Sequence, residues 1–168
     1  MSFDSCNTTS TASSIIFTSK DDSITVGNLS LQDSCLDTVP WPDKTYMIRE
    51  KDSGQVIGIS NGKPFMHKFS KGLDPEPYHW FCVESNGYFG FFNRRSNKYL
   101  SSRNGYALCT VSDFGTKEYF FPRRHPNGGY QLLVAVSSTM LNQVAILSHD
   151  NIIMRQHAGA IWEFVQVS

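Results

Sequence analysis

This sequence has little charge, few cysteines and no long apolar run. Charged residues make up 18% and the formal net charge is zero. A nucleic-acid-binding domain is expected to carry a pI above about 9, and here it is about 6.9. That argues against nucleic acid as a partner. No stretch approaches the roughly 18 apolar residues of a membrane helix. The start, Met1-Ser2-Phe3-Asp4-Ser5-Cys6, shows no basic region followed by an apolar one. No leader peptide is visible, so a cytoplasmic location is the expectation. The four cysteines have no Cys-x-x-Cys spacing, which argues against common zinc and dithiol motifs. Cys82 and Cys109 sit at or beside apolar repeat positions and read as small core residues. Cys6 and Cys35 lie near the N-terminus, where a reduced pair is expected without a secretory leader.

The usual catalytic signatures are also missing. There is no P-loop, no Gly-x-Ser-x-Gly, no His-Glu-x-x-His and no glycine-rich dinucleotide loop. His67, His79, His125, His149 and His157 are scattered over loops and strand ends. His149-Asp150 reads as a turn, because neighbours on a strand point to opposite faces. No cofactor and no metal are expected, and enzyme activity is not favoured. It would need a polar pocket that periodicity does not reveal.

What is present is a pattern that returns three times at intervals of a little over forty residues. Ile48, Phe91 and Leu133 align. So do Ile57, Leu100 and Leu141, and then Phe65, Leu108 and Met154. Trp80, Tyr119 and Trp162 follow, each trailed two residues later by Cys82, Phe121 or Phe164. Four apolar strand cores in each of three units predict an all-β chain folded as a β-trefoil. Such a fold is a six-stranded barrel with a cap of three hairpins. The units run 45–85, 86–126 and 127–168. Twelve short strands with turns at regular spacing fit this reading. The alternative is a single calycin-like barrel with an internal cavity. Asp52-Ser-Gly, Asn61-Gly, Asn104-Gly and Asn127-Gly-Gly supply the positive φ that tight hairpins need. Residues 1–44 hold six aspartates and two lysines, and the rest holds nine acids and thirteen bases. The expectation is an acidic Ser/Thr-rich extension beside a mildly basic body. Pro40 and Pro42 stiffen the entry around Trp41, which is expected to cap the barrel.

The stretch from Tyr88-Phe-Gly-Phe-Phe-Asn through Lys98-Tyr-Leu-Ser and Asn104-Gly105 resembles the repeat of fascin-like β-trefoils. Actin-crosslinking domains and fibroblast growth factors use related patterns. Trp80-Phe-Cys-Val and His125-Pro-Asn-Gly-Gly-Tyr-Gln-Leu-Leu are similar to small fungal proteins of this fold. The matched residues are mostly core and turn positions, so the resemblance implies the fold and little function. Ricin-type lectins share the fold and mark their repeats with Gln-x-Trp. Here those positions read Tyr78-His-Trp80, Lys117-Glu-Tyr119 and Ala160-Ile-Trp162, so those sugar sites do not carry over.

Two groups of residues are candidates for binding. Arg94, Arg95, Lys98 and Arg103 surround the first hairpin of unit two, and Arg123, Arg124 and His125 close that unit. Brought together, they form a cationic patch suited to carboxylates, sulfates or phosphates. Solvated turn charge, partly paired with the acidic extension, is the plainer reading. Tyr78, His79 and Tyr106, near turns, are the candidate exposed aromatics, while Tyr46, Tyr88 and Tyr130 read mainly as core. The Ser70–Pro77 loop is the largest insertion of unit one, and long loops on a rigid barrel are where specificity sits. The expected function is non-enzymatic recognition. A lectin-like glycan partner is favoured over an acidic protein surface such as actin, or over protease inhibition by an exposed loop.

Overall fold

The computed structural model describes residues 38–148 and 151–167. The expected acidic extension, with Cys6 and Cys35, falls largely outside the described residues, as does His149-Asp150. Unit one supplies β1 (Thr45–Glu50), β2 (Val56–Ser60), β3 (Lys63–His67) and β4 (Trp80–Ser85), with a one-turn 3-10 helix at Glu76–Tyr78. Unit two supplies β5 (Tyr88–Asn93), β6 (Lys98–Arg103), β7 (Tyr106–Val111) and β8 (Phe120–Arg124). Unit three supplies β9 (Tyr130–Ala135), β10 (Leu141–Ser148), β11 (Asn151–Arg155) and β12 (Ile161–Val167).

Six strands close into a ring. β1 pairs with β4, β4 with β5, β5 with β8, β8 with β9, β9 with β12 and β12 with β1, all antiparallel. The other six form the hairpins β2–β3, β6–β7 and β10–β11. These hairpins grip one another head to tail. The Cys109 N–H donates to the Gly62 carbonyl at 3.1 Å, and the Met154 N–H to the Gly105 carbonyl at 2.8 Å. The fold is a β-trefoil. Asn61-Gly62, Asn86-Gly87 and Asn104-Gly105 all stand at positive φ, as two-residue hairpins require.

The core has three matching layers, but its register differs from the expected one by a residue in places. Trp80, Phe120 and Trp162 are fully buried at matching positions, each opposite the start of its own unit's first strand, at Tyr46, Phe89 and Tyr130. Tyr119, expected there, lies one residue off. Met66, Cys109 and Met154 are the buried hairpin residues, in place of Phe65 and Leu108. Val144 takes the place given to Leu141, which is exposed. Its carbonyl accepts the Trp162 indole N–H at 3.3 Å, as the Ile57 carbonyl accepts that of Trp80 at 2.9 Å. For Tyr119, Phe65 and Leu108 the reason is local: each has an apolar neighbour, so alternation does not say which one points inward.

Cys82 and Cys109 are buried and free. Burial pushes both thiols up to about 12, so they are protonated and unreactive at neutral pH. Trp41 does not cap the barrel. It is 65% exposed, and its backbone N–H donates to the Tyr46 hydroxyl at 2.9 Å. Among the described residues no helix is long and apolar enough to cross a membrane, and no group of three or more His, Cys, Asp or Glu is placed to hold a metal.

Candidate functional site

The β5–β6 turn carries Arg94 and Arg95, and Asn93 holds it in place. Asn93 is fully buried at the end of β5. Its Nδ2 donates to the carbonyls of Glu76, Pro77 and His79 at 3.1, 3.3 and 3.0 Å. Its Oδ1 accepts the Ser96 N–H at 3.0 Å. One amide thus fastens the arginine turn to the 3-10 helix. Sequence reading missed Asn93. The available signal was Asn-x-x-Ser at a strand end, where an Asn side chain closes its own turn.

Turn and helix together wall a cleft of 270 Å³ lined by Thr45, Glu76, His79, Phe81, Arg94 and Arg95 among others. The Arg94 guanidinium lies over the Phe81 ring, 4.5 Å from its centre, a stacking that leaves the edge donors of the fork available. Arg95 forms an ion pair with Asp74, and both side chains are about half exposed. Asp74 also accepts the Glu76 N–H at 3.1 Å, which fixes the loop before the helix. Burial lowers the His79 pKa against the opposing pull of Glu76 and Asp74, so its imidazole is neutral at pH 7. The cleft therefore offers guanidinium donors, a carboxylate acceptor, a neutral imidazole and an aromatic wall.

Arg95 also borders a second hollow of 490 Å³, with Asn61, Phe65, Pro77, Tyr78 and Ser96. Tyr78 is buried here, contrary to the expectation of an exposed platform. It stacks on His67 and meets Phe65 and Phe69 edge-on. Gly58 makes room for it: a Cβ there would stand 2.6 Å from the ring.

The remaining candidates do not join this site. Lys98 donates to the Ser112 hydroxyl at 2.9 Å. Arg103 stands at the far end of β6 from the arginine turn, a six-residue strand away. Tyr106 is 53% exposed in a separate hollow with Pro64 and Ile152. Arg123 donates from Nε and Nη2 to Gln131 Oε1 at 2.9 and 2.6 Å. Arg124 ends β8, and His125 accepts the Asn127 N–H at 3.3 Å in the following turn. The expected single cationic patch is divided among separate places. Arg94, Arg95 and His79 are the members brought together in one cleft.

The threefold repeat gives this cleft two counterparts. Phe81, Phe121 and Glu163 each follow a core residue of the Trp80 set. In unit two, the position is a 440 Å³ cleft around Tyr88, Tyr119 and Phe121 and the β9–β10 turn. Tyr88 stacks on Tyr119 with centres 4.4 Å apart and planes 10° off parallel, and meets Phe121 edge-on. In unit three, Glu163 binds Arg49 at 2.7 Å. There Lys51 Nζ bonds the carbonyls of Asn127 and Gly128.

No protein-family model matches the chain, and no curated protein matches it. Solved structures do. A designed threefold-symmetric protein, ThreeFoil, is 19% identical with a TM-score of 0.62, over 73% of this chain and 99% of that one. The ricin B-like lectin of Macrolepiota procera, solved with lactose, is 13% identical with a TM-score of 0.62, over 77% and 100%. SeviL, solved with the asialo-GM1 saccharide, is 11% identical with a TM-score of 0.58, over 74% and 97%. At these identities the likeness carries the fold.

Proposed function

We propose that this chain is a non-enzymatic recognition module that binds carbohydrate in a lectin-like way, through the arginine-turn cleft of unit one. The observation that carries the reading is the placement of Arg94, Arg95 and His79 around the Phe81 ring by the buried Asn93 amide. Fixed polar groups beside an aromatic wall suit a ring with hydroxyls on its edge and C–H groups on its face. The Arg94 guanidinium, stacked on Phe81 with its edge donors open, makes an acidic sugar, carrying a carboxylate or sulfate, the favoured ligand class. Trefoil neighbours solved with lactose or with the asialo-GM1 saccharide support the lectin-like part of the reading. A glycan array probed at low and moderate salt tests it. Binding competed by the free sugar and reduced by Arg94→Ala is expected. A blank array, or binding indifferent to Arg94→Ala, would remove the proposal.

A second reading, an acidic protein surface such as a filament, draws on the same arginines. Binding lost steeply with salt and not competed by any sugar would favour it.

A further inference from the structure

The unit-two cleft is built from different material, and that difference has a chemical meaning. Its floor is the parallel Tyr88–Tyr119 pair, closed on one side by the Phe121 edge. Phe114 braces Tyr119 from behind at 5.1 Å, and a Cβ on Gly90 would overlap the Phe114 ring. The rings are therefore held in place before any ligand arrives. The opposite rim is the β9–β10 turn, with Ser137, Ser138 and Leu141 lining the cleft. Thr116 and Lys117 complete the polar edge, and Lys117 is the one charged group of this lining. The lining contains no carboxylate and no arginine.

From this we infer a second carbohydrate subsite in the unit-two cleft, selective for a neutral pyranose rather than an acidic one. The proposal rests on the recognition reading above and adds a site and a ligand class to it. A preorganised aromatic wall suits the C–H groups of a sugar ring. The hydroxyls of Thr116, Ser137 and Ser138 and the tyrosine O–H groups suit its hydroxyl edge. A carboxylate or sulfate would find one exposed ammonium here, against the Arg94 fork of the first cleft. The volume of 440 Å³ lies within the range of small-ligand clefts.

The test is calorimetric titration of the full chain with two probes, lactose as the neutral one and sialyllactose as the acidic one. Tyr119→Ala is expected to weaken lactose binding about tenfold, the loss of roughly one good stacking contact, and to leave the response to Arg94→Ala intact. Tyr119 packs on its neighbours, so Tyr119→Ala could cost folding. Val136→Lys, at a residue 47% exposed on the cleft rim, is the second variant and is expected to give a similar loss. Lactose affinity unchanged in both variants would overturn the subsite. Sialyllactose bound with lactose ignored would overturn the subsite and leave the unit-one reading standing. If neither probe binds and the glycan array is blank, both readings fall together.

Discussion

The clefts of unit one and unit two stand at the same place in the repeat and are finished in opposite ways. At the first cleft, Asn93 of unit two ends β5, and its amide captures the carbonyls of Glu76 and Pro77 in the unit-one helix and of His79 just after it. Its counterpart by repeat is Val134, which is buried and apolar. The loop before the fourth strand is then held in two different manners. Hydrogen bonds and the Arg95–Asp74 ion pair hold it in unit one. Stacked rings, Phe114 on Tyr99 and Tyr119 on Tyr88, hold it in unit two. A barrel position fixed by backbone pairing thus tolerates either chemistry, because the backbone bonds are already complete. What differs is the ligand each wall can address.

The comparison breaks hardest at Asn93. Asn93→Val installs the residue of the Val134 position and leaves buried carbonyls and the Ser96 N–H unpaired. A loss of about 3 kcal/mol in urea unfolding is expected, and Val134→Asn should not repair it. Next come the two glycines that seat aromatic rings. Gly58→Val displaces Tyr78, and Gly90→Val displaces Phe114. Each is expected to cost about 2 kcal/mol, and amide NMR shifts should concentrate around the affected cleft alone. Shifts spread equally over both clefts would show that the two are not independent.

Smaller effects sharpen the contrast. Arg94→Ala is expected to lower affinity for an acidic sugar about tenfold, with the unfolding midpoint hardly moved, since Arg94 is exposed. pH separates the clefts by sign. The folded His79 pKa is lowered by burial, so its neutral form is favoured. Its contribution is present above about pH 6.5 and lost as pH falls through the lower folded value. Glu118, behind the unit-two loop, accepts the Gly115 N–H at 3.0 Å, and its pKa is raised, chiefly by burial. Its contribution is present below about pH 4.5 and lost as pH rises through the folded value. Glu118→Gln is therefore expected to melt slightly higher than the parent chain at pH 7 and not below pH 4. A melting curve of His79→Gln should lose part of the acid sensitivity of the parent between pH 7 and 5.

The trefoil was legible because its signal is redundant: three units repeat the same alternation, and two of the three hairpins turn at Asn-Gly. Register was less so, since Phe65-Met66, Leu108-Cys109 and Tyr119-Phe120 each offer two apolar residues to one inward place. The arginines of the β5–β6 turn could be nominated because turns expose charge. Tyr78 was misjudged because its burial depends on Gly58, twenty residues earlier and across a hairpin. The unit-two cleft was invisible for a related reason. Tyr88 and Tyr119 meet only once β5 and β8 are side by side, and no local pattern records that pairing.

The pairing of β1 with β12 runs over six residues, from Thr45 opposite Val167 to Glu50 opposite Trp162. Its two halves are more than a hundred positions apart along the chain. During synthesis the first strand therefore waits with a bare edge until the twelfth has left the ribosome. Such an edge is open to pairing with another chain, and contacts this distant in sequence form slowly. Losing the last strand would not trim this protein at one end. It would leave the barrel unclosed and the Trp80–Tyr46 seam beside it exposed.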